Sequence, residues 1–75
     1  MKLEGRTMEK IKIETEYIKL DQFLKWSSLC DSGAEAKIVI SEGQVKVNGS
    51  TELQRGKKLR PGDMIEYKLE VYQIE

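Results

Sequence analysis

A chain of 75 residues, of which 39% are hydrophobic and 35% charged, can bury the core of one small domain. It has no histidine and one cysteine, so it lacks the commonest general base, the usual zinc ligands and an internal disulfide, and we expect no catalytic residue, no metal site and no cofactor. Its net charge is zero, no segment resembles a signal peptide or a bilayer span, and no nucleotide-binding motif is present, so the sequence favours a cytoplasmic protein without a membrane or small-molecule partner.

The N-terminal part of the chain combines a polar stretch with one strand. Residues 1–9 show no periodicity and are interpreted as a flexible tail, which leaves residues 10–75 as the domain. Ile11 and Ile13 alternate with charged residues, and this period of two predicts a half-buried strand.

Two short helices are predicted next. Over residues 20–29, apolar residues recur three and four positions apart, as on one face of a helix. Ser32 and Glu35 have the spacing of a capping box at the start of a second helix, and Gly43 can adopt the left-handed conformation that ends it. The short connection between the helices indicates a helix-turn-helix-like corner.

A hairpin follows the second helix. Residues 44–47 alternate between polar and apolar side chains, as a half-buried strand does. Asn48 and Gly49 both tolerate positive φ, and this pair is the strongest signal for a two-residue hairpin turn. The return strand is predicted over residues 51–53.

The C-terminal segment contains another turn and another strand. Residues 60–63 read Arg-Pro-Gly-Asp, with proline and glycine at the central positions of a type II turn. Residues 65–71 alternate between apolar and polar side chains and predict one final strand. Together these elements predict an α+β fold, with two short helices packed on a small, mostly antiparallel β-sheet.

The zero net charge conceals an uneven distribution. Between Lys37 and Arg60 the chain has six basic and two acidic residues, a local charge of +4, whereas the remaining seven basic and eleven acidic residues give −4. A local positive field attracts polyanions whatever the total charge, so this segment is a candidate for binding nucleic acid.

The order of these motifs resembles the S4 RNA-binding domain. The run Lys-Leu-Asp-Gln-Phe-Leu from Lys19 is similar to the opening of that family, and Ser-x-x-Glu-Ala-Lys from Ser32, the Asn48 hairpin and Pro-Gly-Asp from Pro61 follow in the family's order. The segments 32–34 and 55–59 are most similar to free-standing, single-domain bacterial S4-like proteins. The resemblance implies the alpha-L motif, two short helices against a small sheet.

The same resemblance implies a non-catalytic module that recognises structured RNA, ribosomal or transfer RNA, and that associates with the ribosome. Phosphate contacts from a basic face would dominate its affinity. The residues expected to contact RNA are Lys19, Lys37, Lys46, Asn48, Arg55, Lys57 and Lys58. Trp26 and Tyr67 are candidate stacking platforms for bases, although Trp26 is interpreted first as a packing residue.

Two other function classes fit parts of the sequence. A protein–protein interaction module with the same S4-like fold is supported by the acidic remainder of the chain, including Glu14, Glu16, Glu66 and Glu70. A ubiquitin-like carrier is disfavoured because the chain ends in Gln-Ile-Glu and lacks the C-terminal glycine pair of such carriers.

Overall fold

The computed structural model describes residues 8–75, and for Met8 the backbone alone. Within this part of the chain, helices and strands follow one another in the order β1 Met8–Ile11, β2 Ile18–Lys19, α1 Leu20–Trp26, α2 Gly33–Ser41, β3 Val45–Val47, β4 Ser50–Thr51, β5 Lys58–Leu59, β6 Met64–Tyr67 and β7 Glu70–Ile74. The predicted α+β class is confirmed.

The strands form one five-stranded sheet and one separate pair. The large sheet has the order β1-β7-β6-β3-β4, and β2 pairs with β5. Every pairing is antiparallel except that of β1 with β7, which is parallel. The predicted mostly antiparallel sheet is therefore confirmed.

The apolar faces of both helices and of the sheet form one core. Phe23 of α1 meets Tyr72 of β7 edge to face, with ring centroids 6.0 Å apart and ring planes at 70°, a favoured geometry for aromatic pairs. The buried side chains are Leu20, Phe23, Leu24, Cys30, Ala36, Val39, Ile40, Val45, Val47, Leu59, Ile65, Tyr67, Tyr72 and Ile74.

The first helix ends three residues earlier than the predicted residue 29. Ser28 adopts a left-handed conformation with φ 63°, and its N–H donates to the Lys25 carbonyl at 3.0 Å. The Leu29 N–H donates to the Leu24 carbonyl at 2.9 Å. These two bonds form a Schellman motif, which usually places glycine where Ser28 stands, so the sequence carries no clear signal for this end.

The second helix has the predicted ends. The Ser32 hydroxyl accepts a hydrogen bond from the Glu35 N–H at 3.2 Å, and the Glu35 carboxylate accepts one from the Asp31 N–H at 2.9 Å. The glutamate thus reaches the residue before the cap, a small departure from the ideal capping box. Gly43, with φ 78°, ends the helix in a second Schellman motif.

Both predicted turns are confirmed. Asn48 and Gly49 have φ of 53° and 87° between the paired residues Val47 and Ser50, as a two-residue hairpin requires. Gly62 has φ 100°, and the Asp63 N–H donates to the Arg60 carbonyl at 2.9 Å, as in a type II turn. The return strand after the hairpin is β4, Ser50–Thr51, which begins one residue earlier and is one residue shorter than the predicted 51–53.

The prediction of one final strand over 65–71 is wrong. This segment contains β6, a turn at Lys68 and Leu69, and the beginning of β7. Lys68 and Leu69 have φ of 54° and 66°, values that a hairpin turn usually assigns to asparagine or glycine. The buried positions change from odd to even across this turn, from Ile65 and Tyr67 to Tyr72 and Ile74. Leu69 in the turn and Val71 on the other face continue the odd-numbered apolar period, so neither composition nor period reveals the turn.

The first strand begins at Met8, two residues before the predicted domain boundary at residue 10. Its parallel register runs from Met8 opposite Val71 to Ile11 opposite Ile74, so it completes the edge that β7 offers. Met8 and Glu9 of the predicted tail are therefore strand residues, and residues 1–7 lie outside the described part of the chain. Ile13, also predicted in this strand, follows its end and packs against the core.

We predict that Ser32→Ala lowers the free energy of unfolding by about 1 kcal/mol, because the Glu35 N–H loses its acceptor. The measurement is urea denaturation followed by circular dichroism. Ser41→Ala is the matched control, since the Ser41 hydroxyl donates to the Ile38 carbonyl inside the helix and alanine is a better helix former. Equal stability of Ser32→Ala and wild type would contradict the capping role.

We also predict that stability decreases at alkaline pH. Burial raises the pKa of the Cys30 thiol above 9.0, nearby Glu35 raises it further, and a hydrogen bond from Tyr67 opposes the shift; burial also raises the pKa of Tyr67. Because the folded state holds these protons more tightly, their contribution is complete below the unfolded pKa values and is lost as pH rises through the folded ones. Urea denaturation below and above pH 9.0 measures this change in the free energy of unfolding. The decrease in the free energy of unfolding with rising pH should be smaller in Cys30→Ala than in wild type. If both proteins lose stability with pH at the same rate, Cys30 is not the source of the decrease.

Candidate nucleic-acid interface

The basic segment that follows β4 lies against the beginning of α1. The Leu20 N–H donates to the Lys57 carbonyl at 2.9 Å, and the Asp21 N–H donates to the Arg55 carbonyl at 3.1 Å. The first amides of a helix have no partner inside it, and within the described chain the Lys19 side chain makes no capping hydrogen bond. The backbone of the basic segment therefore caps α1, which fixes the position of the segment.

Strand pairing adds a second connection between the same two parts of the chain. In the β2–β5 pair, Ile18 lies opposite Leu59 and Lys19 lies opposite Lys58. Leu59 is fully buried, whereas Lys19 and Lys58 are exposed, as expected from the alternation of side chains in strands. Like charges at directly opposed positions repel each other, so this pair holds two positive charges together at a cost in stability.

An aromatic ring organises two of the cations. The Lys58 Nζ lies 4.9 Å and the Arg60 Cζ 5.5 Å from the centroid of the Tyr17 ring. Cation–π contacts orient a cation without neutralising its charge. We use the term basic strip for the five exposed cations that the backbone contacts hold at the β2–β5 pair and the beginning of α1, namely Lys19, Arg55, Lys57, Lys58 and Arg60.

The strip contains four of the seven residues predicted to contact RNA, together with Arg60, which was not predicted. Tyr17 was also missed as a site residue. The period of a strand could have identified both, because residues two positions apart point to the same face. Tyr17 precedes Lys19 by two positions, and Arg60 follows Lys58 by two.

The other predicted residues lie on different elements. Lys37 is exposed on α2. Lys46 is exposed on β3 directly opposite Glu66 of β6, so an acid reduces the positive potential around it. The roles of these two lysines remain predictions.

Asn48 has a structural role in the hairpin. Its side-chain oxygen accepts a hydrogen bond from the Met64 N–H at 3.0 Å, and its side-chain nitrogen donates to the Asp63 carboxylate at 3.2 Å. The same carboxylate accepts from the Arg60 N–H at 2.8 Å. Both ends of the amide are thus engaged in joining the hairpin to the turn at 60–63, and the prediction that Asn48 contacts RNA gains no support from this geometry.

The two aromatic candidates differ in exposure. Tyr67 is only 2% exposed and belongs to the core, so it cannot stack with a base. Trp26 is 66% exposed at the end of α1, so the interpretation of Trp26 as a packing residue is wrong. The apolar face of α1 consists of Leu20, Phe23 and Leu24, and Trp26 lies outside it.

Neither helix in residues 8–75 combines the length and apolar character needed to cross a membrane. Among the same residues, histidine, cysteine, aspartate and glutamate side chains form no group of three or more that could hold a metal ion.

Comparison with known proteins finds chains of similar sequence. The model of the S4 domain family matches residues 11–75. The chain is 46% identical over 56 residues to the probable ribosome maturation protein RlbA of Bacillus subtilis, covering 75% of this chain and 79% of that protein. It is 39% identical over 51 residues to the putative RNA-binding protein YbcJ of Escherichia coli, covering 68% and 73%.

Solved structures with a similar fold are also found. The solution structure of Escherichia coli YbcJ, described as revealing an alpha-L motif involved in RNA binding, matches with a TM-score of 0.63 and 31% identity, covering 89% of this chain and 84% of that one. The 30S ribosomal protein S4e of Thermoplasma acidophilum matches with a TM-score of 0.61 and 26% identity, covering 80% and 32%. The predicted family and the alpha-L fold are thus confirmed.

We predict that Asn48→Gly, which retains tolerance of positive φ, lowers the free energy of unfolding by about 1–3 kcal/mol, because the Met64 N–H and Asp63 lose their partner. Urea denaturation measures this loss. In Asn48→Asp the acceptor for Met64 remains, but a second carboxylate faces Asp63. Salt screens the repulsion between the two carboxylates, so the loss in Asn48→Asp should shrink as the salt concentration rises. Wild-type stability of Asn48→Gly would contradict the bridging role.

Proposed function

The chain belongs to the S4 domain family, and we propose that it is a non-catalytic RNA-binding module, comprising residues 10–75, that acts in the bacterial cytoplasm. The observation that carries the proposal is the basic strip. Its five cations are exposed, and the backbone that bears three of them is bonded to α1 or to β2.

The geometry of the strip suits phosphate binding. Lys19 and Lys58 lie on opposed positions of a strand pair, so an approaching phosphate gains from both charges and relieves their mutual repulsion. Because capping hydrogen bonds hold the segment before binding, little conformational entropy is lost when RNA arrives. Affinity then comes mainly from counterion release, which is independent of sequence.

Structured RNA is the class of ligand that fits such a surface. Double-stranded RNA is recognised mostly through shape, phosphate and 2′-hydroxyl contacts, which a small, rigid basic strip can provide. The relatives include a probable ribosome maturation protein, a putative RNA-binding protein and a ribosomal protein. We therefore propose ribosomal or transfer RNA as the ligand and association with the ribosome.

Lys37 and Lys46 are proposed as secondary contacts. Both are exposed, and a long RNA that covers the strip can extend onto neighbouring elements. Lys46 should contribute less than a strip residue, because Glu66 faces it across the sheet.

The decisive measurement is the salt dependence of RNA binding. We predict that replacing Lys57 and Lys58 together by alanine weakens binding to all structured RNAs about equally. It should also reduce the slope of log affinity against log salt by roughly 0.7–0.9 for each phosphate that the variant no longer neutralises. A fluorescently labelled fragment of ribosomal RNA, titrated at several salt concentrations, gives the slopes for variant and wild type.

Lys10 and Lys12 provide the matched control. Both are exposed, on or just after β1, and their double replacement by alanine removes the same charge. If binding depends on the strip, this control keeps the wild-type slope. Equal slopes in both double variants, with melting curves showing that both are folded, would rule out the strip as the contact surface.

In cells, crosslinking followed by sequencing of the bound RNA tests the function itself. Recovery of ribosomal or transfer RNA above background is the expected result. Recovery of no RNA, together with co-purification of a protein partner, would favour a protein–protein interaction module instead.

A further inference from the structure

A groove lies beside the exposed indole of Trp26. Trp26 is the last residue of α1, and the groove is lined by Trp26 together with Ile13, Glu14, Thr15 and Ile18. Its walls combine one aromatic ring, two aliphatic side chains and one carboxylate. Single exposed apolar residues are common on protein surfaces, so the significance of Trp26 depends on what surrounds it.

The groove and the basic strip share strand β2. Ile18 lines the groove, and the next residue, Lys19, belongs to the strip. Successive side chains of a strand point to opposite faces, so the groove and the strip lie on the two sides of the two-residue strand β2. On the other side of Ile18 stands Tyr17, whose ring contacts Lys58 and Arg60. An RNA strand that wraps around β2 can therefore place its phosphates on the strip and an unpaired base at the groove.

We propose that this groove binds an unpaired nucleobase, which stacks on the Trp26 indole while the adjoining phosphates contact the basic strip. The inference rests on the proposed RNA-binding function and adds a preference for RNA with looped-out or bulged bases. Stacking on an aromatic side chain tolerates any base because every base has a π-face.

The carboxylate in the groove favours a base over a phosphate as the occupant. Glu14 would repel a phosphate, whereas it can accept hydrogen bonds from the N–H groups on the edge of a base. The Thr15 hydroxyl already donates to the Tyr17 carbonyl at 2.8 Å, so that hydroxyl is oriented by the protein itself. Guanine offers two adjacent N–H donors to a carboxylate and is the base expected to fit best.

The single tryptophan of the chain reports on the groove directly. The probe is a synthetic RNA hairpin with unpaired guanines in its loop, compared with a fully paired duplex of equal phosphate number. The hairpin should quench Trp26 fluorescence and protect it from iodide, and the duplex should do neither. Binding of the hairpin with unchanged Trp26 fluorescence would overturn the proposal.

Variants at the same position give the second measurement, by anisotropy of labelled RNA. Trp26→Ala should weaken hairpin binding roughly 5- to 150-fold, the effect of removing one stacked base, while duplex affinity and the salt slope stay the same. Trp26→Phe should retain most of the affinity because it keeps a ring. Ile38→Ala is the control, since Ile38 is 53% exposed on α2 and does not line the groove.

The outcomes separate this inference from the function on which it rests. If wild type binds neither RNA, the RNA-binding function itself fails. If wild type binds both RNAs with a salt slope that depends on the strip, but Trp26→Ala binds the hairpin as tightly as wild type, only the base-binding groove is refuted. A groove that serves a protein partner would give this second result.

Discussion

The first amides of α1 need acceptors, and this requirement positions the candidate site. A helix of seven residues with lysine at its N-cap has no side-chain acceptor there among the described residues. The Lys57 and Arg55 carbonyls supply the acceptors, so the basic segment must lie against α1 for these N–H groups to be hydrogen-bonded. Leu59 then enters the core and β5 pairs with β2. One local constraint thus links the first helix, the small strand pair and the positive surface.

Concentrating charge in this way opposes stability in a small domain. Lys19 and Lys58 face each other across a strand pair, an arrangement that costs stability in the absence of a counter-charge. The chain could reduce that cost by placing an acid nearby, as it does at Lys46, which faces Glu66. The ring of Tyr17 lies against Lys58 and Arg60 and orients both cations without cancelling their charges. A local cost in stability of this kind is typical of binding sites.

The parts of the fold that the sequence predicts correctly are those with a specific chemical signal. Ser32 and Gly43 mark the ends of α2, and Asn48 and Gly62 mark two turns through side-chain bonding or tolerance of positive φ. The turn at Lys68 carries no such signal and was missed. At the site, charge counting found the basic segment, but it could not distinguish cations that share the strip from Lys37 and Lys46, because that depends on strand pairing distant in sequence.

A similar distinction separates the residues proposed to bind RNA from the residues that the fold requires. Arg55 and Lys57 support the fold through their backbone carbonyls, which any side chain leaves intact, so their cationic ends can be replaced without loss of the cap. Asn48 supports the fold through its side-chain amide, so the residue type itself is required. Trp26 contributes little to the core, since α1 already buries its apolar face through other residues. This large exposed aromatic side chain, which the fold does not use, is the one that the proposed base-binding groove requires.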